Sequence, residues 1–221
     1  MYKYILFDFD GTVFDTVEGI TKSVQYALAK RGIEAELDSL RCFAGPPLVD
    51  MFMEKFDLTQ EEAEAATEDF RERYQPIGLY ECRVFPGIKE LLHALIGAGL
   101  HVGIATSKPQ HLAEKLLEGE GMLELFEVIS GSDSDGNNNS KAAVLTRAMN
   151  ALGADRKETV LVGDTKYDVA GAKACGVECI GVRYGYAAEG ELASAGADHI
   201  VNDLQQLKAL LLNEEGESMF R

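Results

Sequence analysis

Two aspartates one residue apart, Asp8 and Asp10, close the first apolar run of the chain in the segment Phe7-Asp8-Phe9-Asp10-Gly11-Thr12. A carboxylate can attack phosphorus in line and form an aspartyl-phosphate, which splits ester hydrolysis into two easier steps. A second carboxylate nearby can protonate the leaving oxygen and then deprotonate water, help worth about 10²–10⁴-fold. Asp8 suits the first role and Asp10 the second. Gly11 permits an unusual turn after them, Thr12 ends the segment, and both are candidate phosphate-binding residues. Taken alone, Asp8 reads equally well as a turn aspartate after a strand. Its company decides: Thr106-Ser107-Lys108, Lys141, and Gly163-Asp164-x-x-x-Asp168 occur further along.

The formal net charge of −16 argues against nucleic acid or an anionic membrane surface as a partner. It also repels a phosphate ester, so a working site needs a divalent cation and a few well-placed basic residues. Lys141 is the one basic residue between Lys115 and Arg147. It would neutralise charge on a phosphoryl group and on Asp8. Thr106 and the main-chain N–H groups of Ser107 and Lys108 would cradle phosphoryl oxygens at a helix start, and Lys108 is a possible substrate contact.

These residues need a scaffold that brings them together. Residues 3–9 are too short and apolar for a helix and read as a buried strand. Thr16 is placed to cap a helix over about 17–30. Residues 33–82 read as helical throughout, with Thr59-Gln60-Glu61-Glu62 as a capping box. From Pro86 the rhythm alternates. Helices are expected at 87–98, 109–119, 141–151, 166–174, 189–195 and 203–213, with strands at 100–106, 126–130, 159–163, 177–182 and 198–201. A polar loop spans Ser132–Asn139, and 214–221 is a loose tail. Alternation of this kind gives an α/β fold, a doubly wound parallel sheet whose ligands bind at the strands' carboxyl ends. Asp8, Thr106, Lys141 and Asp164 fall at or just past such ends. The expected division is a discontinuous core, 1–16 with 84–213, and an inserted helical unit, 17–83.

The set Asp8-x-Asp10-Gly11-Thr12, Thr106, Lys141 and Gly163-Asp164-x-x-x-Asp168 resembles the four motifs, in order, of the haloacid dehalogenase-like hydrolases, over about residues 4–212. The resemblance implies a Rossmann-like core with an α-helical cap, and Mg²⁺ held by Asp8, Asp164 and the Asp10 carbonyl. Asp168, one helical turn from Asp164, is assigned to the metal site, directly or through water; a helix N-terminal aspartate favoured by the dipole is the plainer alternative. Many relatives carry Lys-Pro at the third motif, where this chain has Lys141-Ala142.

Gly45-Pro46-Pro47-Leu48 and Thr106-Ser107-Lys108-Pro109 look most like phosphoglycolate phosphatase-like and 5′-nucleotidase-like members. The function implied is Mg²⁺-dependent hydrolysis of a small soluble phosphate monoester, phosphoglycolate phosphatase-like. The cap would close over the site on hinges near 15–17 and 82–86, with Arg41, Gly45, Arg71 and Arg73 as substrate selectors; at least one of Arg71 and Arg73 belongs to a solvated face.

Alternatives are a 5′-nucleotidase, or a phosphomutase that returns the phosphoryl group to a sugar hydroxyl. A receiver-type signalling module also groups acids, a Thr and a Lys, but is about half this length and lacks a helical insertion. Hydrophobic residues make up 46% and charged ones 26%, the profile of a folded domain. No run approaches the length of a membrane helix, and the short apolar start is no signal peptide, so a cytoplasmic location is expected. Cys42, Cys82, Cys175 and Cys179 form no metal-binding spacing and read as free thiols. Oligomeric state leaves no trace in the sequence.

Overall fold

The computed structural model of the chain describes residues 1–133 and 140–213. In chain order its elements begin with β1 (Tyr4–Phe7), β2 (Phe14–Asp15), α1 (Val17–Ala29), α2 (Leu48–Phe56), α3 (Gln60–Tyr74) and β3 (Arg83–Val84). Next come α4 (Ile88–Gly97), β4 (His101–Pro109), α5 (Gln110–Gly119), β5 (Val128–Ser132) and α6 (Lys141–Leu152). The chain continues through β6 (Thr159–Gly163), α7 (Lys166–Cys175), β7 (Glu178–Val182), α8 (Glu191–Ala195), β8 (His199–Val201) and α9 (Leu204–Leu212). They form two compact units: residues 1–13 with 84 onward, and 14–83.

Among the described residues, the first unit holds a six-stranded sheet in the order β5-β4-β1-β6-β7-β8, all neighbours parallel. Ile5, Leu6 and Phe7 of β1 are fully buried, as an apolar strand in a parallel sheet covered on both faces should be. Leu6 and Leu161 join Val144, Leu145 and Ala148 of α6 and Val169 and Ala172 of α7 in one core cluster. Because β4 lies on one side of β1 and β6 on the other, the strand order switches at β1. A switch point opens a crevice at the carboxyl edge.

The second unit is helical but not one continuous helical run. A 3₁₀ stretch at Leu37–Phe43 precedes α2, and Gly45-Pro46-Pro47 lies between them. Proline has no N–H to continue a helical ladder, so this segment breaks the expected helix. Phe43 meets Phe52 of α2 at 5.0 Å between ring centres. The Thr59 capping box forms as expected at the start of α3. Thr16 sits at the head of α1, but its hydroxyl makes no capping bond. A Cβ on Gly19 of α1 would lie 1.9 Å from the Gly78 carbonyl, so helix and turn touch backbone to backbone there.

Two further boundaries differ from expectation. β5 runs over 128–132 rather than 126–130, and β4 continues to Pro109, with its pairing register shifting between Ala105 and Pro109. Most of the 132–139 loop and the tail 214–221 lie outside the described residues.

Candidate active site

The reactive groups are all carried by the first unit. Phe7, the last residue of β1, pairs with Ile104 of β4 and Val162 of β6. The N–H of Asp8 donates to the Val162 carbonyl at 2.8 Å, so Asp8 is still pinned to the sheet. Asp164 follows β6 directly, and Lys141 opens α6 behind Ser140, whose hydroxyl accepts from the Ala143 N–H. The expected convergence is thus present.

Asp8, Asp164 and Asp168 are buried, with a carboxylate oxygen of each within 4.8 Å of the others. Lys141 Nζ is 2.7 Å from Asp8 Oδ1, 2.9 Å from Asp168 Oδ1 and 3.3 Å from the Ala105 carbonyl. Three carboxylates against one ammonium leave a surplus of negative charge out of water, which is costly unless a proton or a cation relieves it. The strain appears in the acids. Burial pushes the Asp8 carboxyl up to about 7, with Lys141 pulling the other way. Burial, reinforced by the charges of Asp168 and Asp8, raises Asp164 well above the ordinary carboxylate range. Burial would lower Lys141, but the charges of Asp168 and Asp8 outweigh it and hold the ammonium protonated. A dry, electron-rich set of hard oxygen donors fits Mg²⁺.

Asp168 has two tasks visible in its contacts. Its Oδ2 accepts from the Thr165 N–H at 3.0 Å and from the Thr165 hydroxyl at 2.9 Å, fixing the start of α7. Its Oδ1 faces Lys141. The helix-capping alternative and a place in the acidic cluster therefore hold together. Gly171 lets Lys141 pass, since a Cβ there would come 2.4 Å from Lys141 Cγ.

Other assignments change on inspection. Thr106 is buried, and its Oγ1 accepts from the Lys108 N–H at 3.2 Å, so that N–H is not free for phosphate in this conformation. Thr106, Ser107 and Lys108 lie on the irregular end of β4, ahead of α5 rather than at its first turn. Lys108 is neither solvated nor open to substrate: its Nζ is 3.0 Å from Asp10 Oδ1. Thr12 is fully buried, and its hydroxyl donates to Asp164 Oδ1 at 3.4 Å, a long contact.

In the helical unit, Arg73 grips Glu81 through two nitrogens, at 2.9 and 3.1 Å, and donates to the Ser23 hydroxyl at 3.1 Å. That is an internal strut, in which the guanidinium is already engaged. Arg71 pairs with Glu68 on an exposed face. Arg41 is exposed at the end of the 3₁₀ stretch, and Gly45 takes a left-handed backbone (φ 109°).

Sequence reasoning missed the loop after β7. The Tyr186 N–H donates to Asp164 Oδ2 at 2.7 Å, and the Tyr184 hydroxyl donates to the Thr12 carbonyl at 3.0 Å. A Cβ on Gly185 would lie 2.3 Å from Asp164 Cβ. Tyr184-Gly185-Tyr186 therefore clasps both a cluster carboxylate and the turn after Asp10. A glycine between two aromatics just past a strand's carboxyl end was the available signal.

Comparison with known proteins agrees with this geometry. A family profile for haloacid dehalogenase-like hydrolases matches residues 5–182. The chain belongs to that family. A protein named 5′-nucleotidase from Pseudomonas aeruginosa is 41% identical over 95% of this chain and 96% of its own. A plasmid-encoded phosphoglycolate phosphatase of Cupriavidus necator is 35% identical over 94% of this chain and 92% of its own. The crystal structure of a predicted phosphatase from Clostridium acetobutylicum superposes with a TM-score of 0.93 at 40% identity, covering 96% of this chain and 99% of that one. This haloacid dehalogenase-like hydrolase is a phosphatase of the phosphoric monoester class. Among its described residues no helix is long and apolar enough to cross a membrane.

Proposed function

We infer that the protein hydrolyses a small phosphate monoester in two steps through an aspartyl-phosphate on Asp8, with Mg²⁺ as cofactor. The observation that carries this reading is the Lys141 ammonium held between the Asp8 and Asp168 carboxylates in a buried cluster that also contains Asp164. Asp8, Asp164 and the Asp10 main-chain carbonyl would hold Mg²⁺, with Asp168 joining through water, and the ion would supply positive charge against the incoming phosphoryl group. Asp8 attacks phosphorus while the ester P–O bond breaks, and the leaving oxygen takes its proton from Asp10. In the second step Asp10 takes a proton from water, whose oxygen attacks phosphorus and releases Asp8. Lys141 balances the charge of Asp8 and of the phosphoryl oxygens in both steps.

Among the esters considered, a nucleoside 5′-monophosphate ranks ahead of phosphoglycolate. The relative named 5′-nucleotidase shares 41% identity and the one named phosphoglycolate phosphatase 35%, each over nearly the whole chain. A panel of nucleoside monophosphates, phosphoglycolate and sugar phosphates, followed by phosphate release, orders them by kcat/KM. Isomerised sugar phosphate in place of free phosphate would instead identify a mutase. With Mg²⁺ the protein should release phosphate from p-nitrophenyl phosphate, and chelation should stop it. Asp8→Asn should lose at least roughly 10³-fold in kcat. Full activity in that variant would remove Asp8 as nucleophile.

A further inference from the structure

Asp10 sits on the irregular turn after β1, on neither a helix nor a long strand, yet its proposed work requires a fixed aim. Its carboxylate is met by Lys108, with Nζ 3.0 Å from Oδ1 and 3.4 Å from Oδ2. The Lys108 side chain is only 3% exposed, and its ammonium lies 5.6 Å from the centre of the Phe9 ring, over its face. The Lys108 main chain is fixed as well. Its N–H is held by Thr106 Oγ1, and Gly131 of β5 lies so close that a Cβ there would come 2.7 Å from the Lys108 carbonyl and 2.5 Å from the Gln110 backbone. A long, flexible side chain has thus been immobilised at both ends. Its ammonium is engaged by the Asp10 carboxylate.

We propose that Lys108 is a positioning residue that acts through Asp10, holding its carboxyl group where it delivers the proton to the leaving oxygen. The proposal rests on the phosphatase reading above. Loss of Lys108 leaves attack by Asp8 and phosphoryl binding in place and weakens proton delivery as the ester P–O bond breaks. The penalty must then grow with the basicity of the leaving group. p-Nitrophenolate departs with little proton help, whereas the alkoxide of a nucleoside 5′-monophosphate or of glycerol phosphate needs it.

The test compares Lys108→Met, Lys108→Arg and wild-type protein, all loaded with Mg²⁺, on p-nitrophenyl phosphate and on an alkyl phosphate the wild type cleaves. For Lys108→Met, kcat/KM on the alkyl ester should fall about tenfold further than on the aryl ester, a fraction of what acid–base catalysis provides. Lys108→Arg should recover part of that difference. Inhibition by inorganic phosphate should stay within about twofold of wild type, which also shows that the variant's site is folded. Adding Lys108→Met to Asp10→Asn should cost little beyond Asp10→Asn alone, because the two act as a unit.

An equal fall on both esters, a marked loss of phosphate inhibition, or full additivity with Asp10→Asn would overturn the proposal and return Lys108 to phosphate binding or plain structure. A wild-type protein that releases phosphate from no ester would overturn the phosphatase reading itself, and is recognised before any variant is made.

Discussion

At Gly11 the backbone is left-handed, with φ at 80°, and a Cβ would lie 2.1 Å from Asp164 Oδ2 and 2.9 Å from the Tyr186 ring. Gly11→Ala therefore carries a backbone cost of about 1–2 kcal/mol and must also move Asp164 or the Tyr186 loop. The expected outcome is a lower melting temperature together with a half-saturating Mg²⁺ concentration raised about tenfold or more, a loss of roughly 1.4 kcal/mol in ion binding. Titration of activity with Mg²⁺ reads the second effect, and an unchanged midpoint would separate Asp164 from the ion. At this scale much was legible. Asp8, Asp10, Lys141, Asp164 and Asp168 announce themselves by type, spacing and position at strand ends, properties that backbone topology alone fixes. The partner of Asp10 did not. Lys108 is 98 positions away in sequence, and which way a lysine turns depends on neighbours from several strands. The pattern of Tyr184-Gly185-Tyr186 marked a turn but not its partner, for a related reason: the contact with Asp164 is made by a main-chain N–H, which every residue but proline possesses.

The elements show where pattern reasoning holds and where it stops. The alternation of strands and helices after residue 86 is carried by long apolar periodicities, and the helices there begin and end within about two residues of expectation. The helical unit was harder to read. Helical spacing marks the buried stripe of α3 (Ala63, Ala66, Phe70 and Tyr74), but not the breaks around Gly45-Pro46-Pro47. Arg73 and Glu81 are eight residues apart across a turn, a separation that no helix-face rule pairs. Their side chains are about four-fifths buried, so the strut matters to the stability of the unit. Arg73→Met should lower stability by about 1–2 kcal/mol, because Glu81 keeps Lys22 as a second partner at 3.1 Å. KM for the best ester should not change. Thermal unfolding and steady-state kinetics on the same preparation check both halves, and a raised KM with unchanged stability would restore Arg73 as a selector.

For the molecule as a whole, the buried cluster would link stability to pH and, under the function proposed above, to the divalent ion. Asp8 is raised from the ordinary carboxylate value to about 7, so without Mg²⁺ the native state binds its proton more tightly than the unfolded chain does. A raised acid contributes stability that is complete below the ordinary carboxylate pKa and is lost as pH rises through the folded value. The melting temperature of chelated protein should therefore decline between about pH 4 and pH 7. In Asp8→Asn that part of the decline should vanish. Mg²⁺ should reverse the trend, since it binds the deprotonated acids and its stabilisation grows toward alkaline pH. At a concentration of 100 times its Kd the ion adds about 2.7 kcal/mol. Melting curves with and without Mg²⁺ from about pH 5 to pH 8 test this. An Mg²⁺-induced rise that shrank with pH would separate the ion from these carboxylates.

The central place of β1 also has a consequence for how the protein is made. Its sheet neighbours are β4 and β6, which begin at residues 101 and 159, so the segment bearing Asp8 is synthesised ahead of both partners and waits for each before that flank is filled. An apolar strand left without partners during translation is exposed to aggregation, and pairings of such long sequence separation form slowly. The proposed catalytic apparatus is correspondingly assembled in stages: Asp8 is translated before its partners, but the acidic cluster cannot close until Asp164 and Asp168 have left the ribosome and β6 has docked beside β1. A nascent chain stalled before residue 164 should thus neither gain protease resistance from Mg²⁺ nor hydrolyse any ester.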